Sequence, residues 1–364
     1  MATAIKLVLF EDTTATRSEI LSALKRQLAP QESVMPFEAD QFEEASANKQ
    51  QMYEARIASI LTSAPYDGTT LILADRDLSK SREADFAGLS VNAVAAAAKR
   101  LSIPLCSYAR QPDIDDYEWR GRWEEGHIVL KFSDGVDELA RRAILAARGF
   151  SEIAAALPGI LADKTKSSSA KILAALLNKP EYAEKIALYG VGDQSRLSEI
   201  LATAKKAGQL EQRMAHFLGY WLWDSLLRYP GLLVNETAAA SYLNINTDDF
   251  REPVVRALFD KAVYQGPFSD SQNPQWWRGA LDDIVSQDDC NDGLELARKK
   301  VRPSVKSSQC CVDSSVPAGY YCIIARKPVS LQNSKGGLSW FPRGADLTRI
   351  SLPKFEEYGP WLGY

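Results

Sequence analysis

Short apolar runs alternate with longer amphipathic stretches through the first 150 residues of the chain. The runs at 5–10, 33–37, 70–75, 103–108 and 127–131 are short and largely aliphatic, which is how buried strands read. Between the first two, Ile20, Leu21, Leu24 and Leu28 recur at helical spacing, and Thr13 or Thr14 is placed to cap the helix they define. Further helices are expected at 39–63, 90–101, 114–123 and 135–148. Strands and helices in alternation are the pattern of repeated βα units, so the first half is expected to be α/β, a doubly wound five-stranded parallel sheet.

After Gly149 and Phe150 the pattern changes to consecutive helices, expected at 151–161, 168–177, 180–188, 194–207 and 210–227, with the polar run Lys164–Ser169 reading as a linker. Beyond these, 235–264 has the short-helix, turn, second-helix look of a helix-turn-helix, and 320–325 reads as a buried strand. Three regions are therefore expected: an α/β domain over 1–150, a helical connector over 151–230, and an α-rich α+β domain over 231–364. Aromatic residues crowd the last of these. At Trp221 and Trp223 their spacing is that of a helix core, whereas Trp361 and Tyr364 could dock at a surface.

Composition narrows the chemistry. A 364-residue chain with 46% hydrophobic and 25% charged residues is ordinary for a globular protein, and no apolar run reaches the roughly 20 residues needed to cross a bilayer. The N-terminus runs directly into the first strand without the order of a secretory signal, which predicts a cytoplasmic protein with no membrane partner. Five cysteines are too few for a disulfide framework, and Cys290, Cys310, Cys311 and Cys322 lack the spacing of common zinc fingers. Two histidines, His127 and His216, leave little room for histidine-based catalysis. A net charge of −4 gives no global attraction for nucleic acid, and the densest basic patch, Arg298–Arg302 with Lys306, follows acidic pairs at 282–283 and 288–289. Nucleic acid is a weakly supported partner. Arg251, Arg256 and Lys261 are few beside Asp248, Asp249, Glu252 and Asp260 on the helix-turn-helix-like segment.

The chemistry sits at the carboxyl ends of three of the expected strands. Glu11 and Asp12 follow the first, Asp75 ends the third and Lys131 ends the fifth, and the carboxyl edge of an open parallel sheet is where ligands bind. Leu9-Phe10-Glu11-Asp12, Leu73-Ala74-Asp75-Arg76-Asp77, Ile103-Pro104-Leu105 and Val129-Leu130-Lys131, in that order, resemble the receiver domain of response regulators, the CheY-like fold, over about residues 1–150. The resemblance implies that Glu11, Asp12, Asp75 and the backbone carbonyl of Asp77 hold Mg²⁺. It also implies that Asp75 accepts a phosphoryl group and that Lys131 pairs with it afterwards. Three positions depart from the family. Ala109 falls where a Ser or Thr hydroxyl normally ends the fourth strand, leaving Ser107 as the nearest switch hydroxyl. Ile128 stands where an aromatic is usual, and Phe132 replaces a proline. These changes bear on switching more than on the acidic pocket.

Two functions follow as expectations. One is a response-regulator-like signalling protein, phosphorylated at Asp75 by a histidine kinase and modulating its C-terminal region, with no enzymatic chemistry beyond phosphoryl acceptance. The other is a pseudo-receiver, a non-catalytic interaction or dimerisation module or a phosphate sink in a defence-type signalling cassette. In either case a homodimer through the receiver is a candidate assembly.

Overall fold

The computed structural model describes residues 4–38, 52–78, 89–109, 127–132, 134–163, 168–190, 200 and 209–359. The expected helix at 114–123, most of that at 194–207, the first part of that at 39–63, and the residues Trp361 and Tyr364 lie outside the described residues. The chain divides into two compact units, one of Met1–Ser167 with Gln194–Tyr220 and the other of Ser168–Asp193 with Trp221–Tyr364.

The first unit is built on a five-stranded sheet with the order β2-β1-β3-β4-β5, formed by β1 (Lys6–Phe10), β2 (Ser33–Pro36), β3 (Leu71–Asp75), β4 (Leu105–Ala109) and β5 (Ile128–Lys131). All neighbours pair in parallel. Central strands of such a sheet are covered on both faces, which is why β1 and β3 are near-continuous apolar runs with no polar side to alternate against. The helices α1 (Thr14–Gln27), α2 (Tyr53–Leu61), α3 (Val91–Leu101) and α4 (Val136–Leu161) flank it. Val8, Phe10, Ile72, Ala74 and Leu105 form one core with apolar residues of α2 and α3. On the other side α1 packs against α4, and α4 against β3 and β5. Helix signals in the sequence hold in part: Thr13 stands at the N-cap position of α1, but its side chain makes no capping hydrogen bond. Lys25 and Arg26 lie in the last turn of α1, where they complement the helix dipole, and Ser90 caps α3 by accepting the Ala93 N–H.

Helix α4 departs from expectation. It was expected to end at Arg148, with a second helix beginning at 151, yet it runs unbroken for 26 residues to Leu161. Gly149 and Phe150 are both buried within it, so the residues that look like punctuation in the sequence are packing positions. The cost of an interior glycine, about 1 kcal/mol, is small beside the burial around it. By length and composition α4 could also cross a membrane, contrary to the absence of such a segment expected from the sequence. Leu139, Ala140, Ala143 and Ala147 are instead fully buried within this unit.

The described end of the first unit is the helix α7 (Gln209–Trp221), which follows α5 (Ser169–Leu176) and α6 (Ala183–Ala187) of the second unit in chain order. Tyr220 is buried, and its hydroxyl accepts the Leu105 N–H at 2.6 Å and donates to the Leu105 carbonyl at 3.0 Å. It thereby satisfies both main-chain groups of the residue that opens β4. Tyr220→Phe leaves that pair without its partner in a dry place and is expected to cost about 1–3 kcal/mol in urea unfolding. A loss below about 0.5 kcal/mol would show that the pair finds water instead.

The second unit is helix-rich with small sheets. Leu233–Asn235 and Gln275–Trp277 form an antiparallel pair, and a four-stranded sheet is assembled from Tyr320–Cys322, Lys327–Val329, Ser334–Lys335 and Thr348–Ser351. The strand expected at 320–325 stops at Cys322, because the chain turns through Arg326, at φ +54°, to pair back on itself from Lys327. The helix-turn-helix-like segment resolves into three short α-helices, Glu236–Tyr242, Thr247–Arg251 and Pro253–Arg256, and a 3-10 helix, Ala257–Ala262.

Candidate metal centre

The acidic site forms where three chain segments leave the carboxyl edge of the sheet. Glu11 and Asp12 occupy the two residues between β1 and the Thr13 N-cap of α1, and Asp75 is the last residue of β3. All three are buried, at 0%, 3% and 6% exposure, and each offers a carboxylate oxygen within 4.8 Å of the others. Three carboxylates in so little water repel one another and lose hydration, and the structure answers this in part with hydrogen bonds. Glu11 Oε1 accepts the Thr13 N–H at 2.9 Å and Oε2 accepts the Tyr108 hydroxyl at 2.6 Å. Asp75 Oδ1 accepts the Asp77 N–H at 3.0 Å across the turn that follows β3. Asp12 Oδ1 accepts the Thr13 hydroxyl, while Asp12 Oδ2 is buried with no partner.

Burial and mutual repulsion set the acidities. Burial is the larger cause at Asp75, followed in the same direction by the charges of Glu11, Asp12 and Asp77, and the Asp77 N–H opposes them only partly; the carboxyl is pushed up to about 6. Asp12 is also raised, by burial first and by Glu11 second. Such a group reaches a stable state by taking up a proton or a cation. The donors are all carboxylate oxygens, the set preferred by hard cations such as Mg²⁺, Ca²⁺ and Mn²⁺ and poorly suited to soft ones. An orphaned buried oxygen on Asp12 adds a lone pair that the protein itself leaves unsatisfied. The residues therefore fit a divalent cation, and among the described residues this is the group of three acidic, cysteine or histidine side chains that converges in this way.

Strand register places the other expected site residues. Asp75 pairs with Tyr108, Ala74 with Ser107, and Ala109 with Lys131. Paired residues share a face and neighbours in sequence alternate, so Ser107 leaves the sheet on the side of α2 and α3, opposite to Asp75 and Tyr108. Its hydroxyl is fully buried with no partner. Lys131 ends β5, two strands from Asp75 in the sheet order, and its Cβ is one step out of phase with the Asp75–Tyr108 pair. The structure thus brings Glu11, Asp12 and Asp75 together and sets the Asp77 amide on Asp75. Ser107 lies behind the sheet from them.

The residue missing from the sequence reading is Tyr108. It is fully buried, stands beside Asp75 and reaches Glu11 on the far side of β3, so its ring lies across the carboxyl end of that strand. The ring also stacks on Phe132, with centroids 5.9 Å apart. Nothing in a one-dimensional pattern distinguishes it from Ser107 or Ala109, because only the register says which of the three faces the acids.

Elsewhere the candidates lose their reach. In the basic patch, Arg302 forks onto Glu252 and Asp249, Lys300 pairs with Asp288 and Arg298 donates to the Val305 carbonyl. Arg251 is held by Glu236 and Asp248. Arg251, Lys300 and Arg302 are thus paired with carboxylates within the second unit, and Arg298 with a main-chain oxygen. Cys310 and Cys322 are buried in a small apolar cluster with Val329, whereas Cys311 is exposed.

Comparison of the chain with protein-family models, with curated proteins and with solved structures finds no match. A five-stranded parallel sheet with flanking helices, compatible with a receiver-like fold, and a buried acidic cluster able to hold a metal ion are what the structure supplies.

Proposed function

We propose that the first unit is a receiver-like signalling module in which Asp75 accepts a phosphoryl group, from a histidine kinase, beside a divalent cation, and that the second unit is its output or interaction partner. The observation carrying this reading is the convergence of Glu11, Asp12 and Asp75 at the carboxyl edge of the sheet with one Asp12 oxygen unpartnered. Mg²⁺, when bound, supplies the positive charge that lets an anionic carboxylate approach an anionic phosphoryl group. An Asp75 oxygen forms the new P–O bond as the P–N bond to the donor imidazole breaks, and the imidazole leaves with the electron pair and takes a proton. The Asp77 amide, already on Asp75, orients the carboxylate so that its other oxygen is the nucleophile. Lys131 is assigned the neutralisation of the product, which requires its ammonium to come around the end of β5.

A second reading is favoured by Tyr108. A phenol ring lying across the end of β3 occupies space beside Asp75, which suits a pseudo-receiver that binds a cation without accepting phosphate and acts as an interaction or dimerisation module. Incubation of the full chain with a radiolabelled phosphoramidate and Mg²⁺ separates the two. Label that is labile to alkali and hydroxylamine on the wild type, as an acyl phosphate is, and its loss, by about 100-fold or to background, in Asp75→Asn is the outcome expected of the first reading. Tight Mg²⁺ binding with no label supports the second, and equal label on both proteins removes Asp75 as the acceptor.

A further inference from the structure

We infer that Tyr108 is a positioning residue of the acidic site, fixing the carboxylate of Glu11 in the geometry that receives the cation; this rests on the reading of Glu11, Asp12 and Asp75 as a cation site.

A glutamate is a poor ligand unless its side chain is held, because three rotatable bonds separate the carboxylate from the backbone. In this site both carboxylate oxygens are pinned from opposite directions. The Thr13 N–H holds Oε1 at 2.9 Å from the α1 side, and the Tyr108 hydroxyl holds Oε2 at 2.6 Å from the far side of β3. A carboxylate has about four lone-pair sites, and a Glu11 oxygen lies within 4.8 Å of carboxylate oxygens of Asp12 and Asp75. A phenol donating to an anion at this separation is a charge-assisted bond, stronger than one between neutral groups. It also disperses charge on Glu11 without replacing the cation.

The phenol is itself held. Tyr108 is fully buried, its backbone is fixed in β4 opposite Asp75, its carbonyl accepts the Arg76 N–H at 2.8 Å, and its ring stacks on Phe132. Partners of this kind outside the ligand set typically change metal affinity by about 10- to 100-fold when removed. Ser107, the nearest hydroxyl in the sequence reading, cannot serve, since it lies on the other face of the sheet. The hydroxyl that governs this pocket is therefore a phenol, one residue later in the strand.

Titration calorimetry with Mg²⁺ on the full-length wild type and Tyr108→Phe tests the inference. The change removes one oxygen and keeps the ring, so a Kd raised about 10- to 100-fold is expected, in a metal-free protein that keeps its cooperative unfolding at a lowered midpoint. An unchanged Kd in Tyr108→Phe, with the wild type binding normally, overturns the positioning role and leaves the cation site standing. Failure of the wild type to bind Mg²⁺, Ca²⁺ or Mn²⁺ at millimolar concentration overturns the site itself, and the inference with it. Should Tyr108→Phe unfold, Phe132→Ala keeps the hydroxyl but frees the ring, and the inference then requires a weakening of about 3-fold or more. A spectroscopic readout that a merely structural role would not move is tyrosine-sensitised luminescence of bound Tb³⁺. It is expected from the wild type and reduced in Tyr108→Phe at saturating Tb³⁺, and its absence from the wild type counts against a phenol beside the ion.

Discussion

In metal-free buffer at pH 7, Asp75→Asn is expected to stabilise the first unit by about 2–3 kcal/mol, raising its unfolding midpoint rather than lowering it. The native Asp75 carboxyl is pushed up from 3.8 to about 6, chiefly by burial and then by its acidic neighbours. Between those two values the folded chain holds a proton that the unfolded chain has released. The contribution of this group to stability is therefore greatest below about pH 4, falls as pH rises towards about 6, and is flat beyond. Asparagine keeps the shape and can still accept the Asp77 N–H, but it carries no charge to desolvate, so the variant is expected to lose that part of the pH slope. Mg²⁺ should act in the opposite sense. It binds the native wild type alone and restores about 2.7 kcal/mol at 100 times its Kd, while leaving the asparagine protein nearly unmoved. Urea unfolding at pH 4.5 and 7, with and without Mg²⁺, reads all of this. An asparagine variant no more stable than wild type at pH 7, with the same slope, would mean that Asp75 is not buried as a charge.

Gly231→Ala is expected to damage the second unit by about 3 kcal/mol or more. A Cβ at this position would lie 2.1 Å from the Gly344 carbonyl oxygen, 2.2 Å from the Tyr189 hydroxyl and 2.9 Å from the Ala345 Cα. Two of these three are backbone atoms, and the third belongs to a side chain that cannot swing away without loss. Tyr189 accepts the Leu232 N–H at 2.8 Å and donates to the Tyr229 carbonyl, closing the segment that leads into the 233–235 strand. Gly319→Ala is the matched control, since nothing lies within 4 Å of the Cβ it would gain. Tryptophan fluorescence during chemical unfolding should show the early transition in the first variant only. Equal midpoints would mean that the 229–232 and 344–345 segments part at little cost.

How much of this was legible beforehand depends on whether the information is local. The strands of the sheet were legible to within a residue or two, because doubly covered parallel strands are short aliphatic runs; so were the C-terminal end of α1, from its basic last turn, and the start of α3, from the Ser90 cap. The acids were legible for a topological reason: strand ends converge in this architecture wherever they stand in sequence. The role of Tyr108 was not, since it depends on which residue of β4 stands opposite Asp75, a matter of register set by pairing. Nor was the course of α4, where Gly149 reads as a breaker but is buried in the interior of an unbroken helix. The second unit was opaque because its key contacts join distant segments, such as Tyr189 with 229–232, and no periodicity announces them.

The interleaving of the two units has a consequence for the order in which the protein can be made. The first unit takes Gln194–Tyr220 from beyond a segment that belongs to the second, so a ribosome that has released residues 1–167 has not yet supplied the helix whose Tyr220 closes the start of β4. Meanwhile Ser168–Asp193 emerges long before Trp221–Tyr364, with which it must assemble. Neither unit can be completed by simple N-to-C progression, and each has a stretch that must wait for its partner while the other is being finished. A nascent chain of this design exposes the Phe150 face of α4 until Tyr220 arrives to pack on it, and the hazard in its biosynthesis is that interval of waiting.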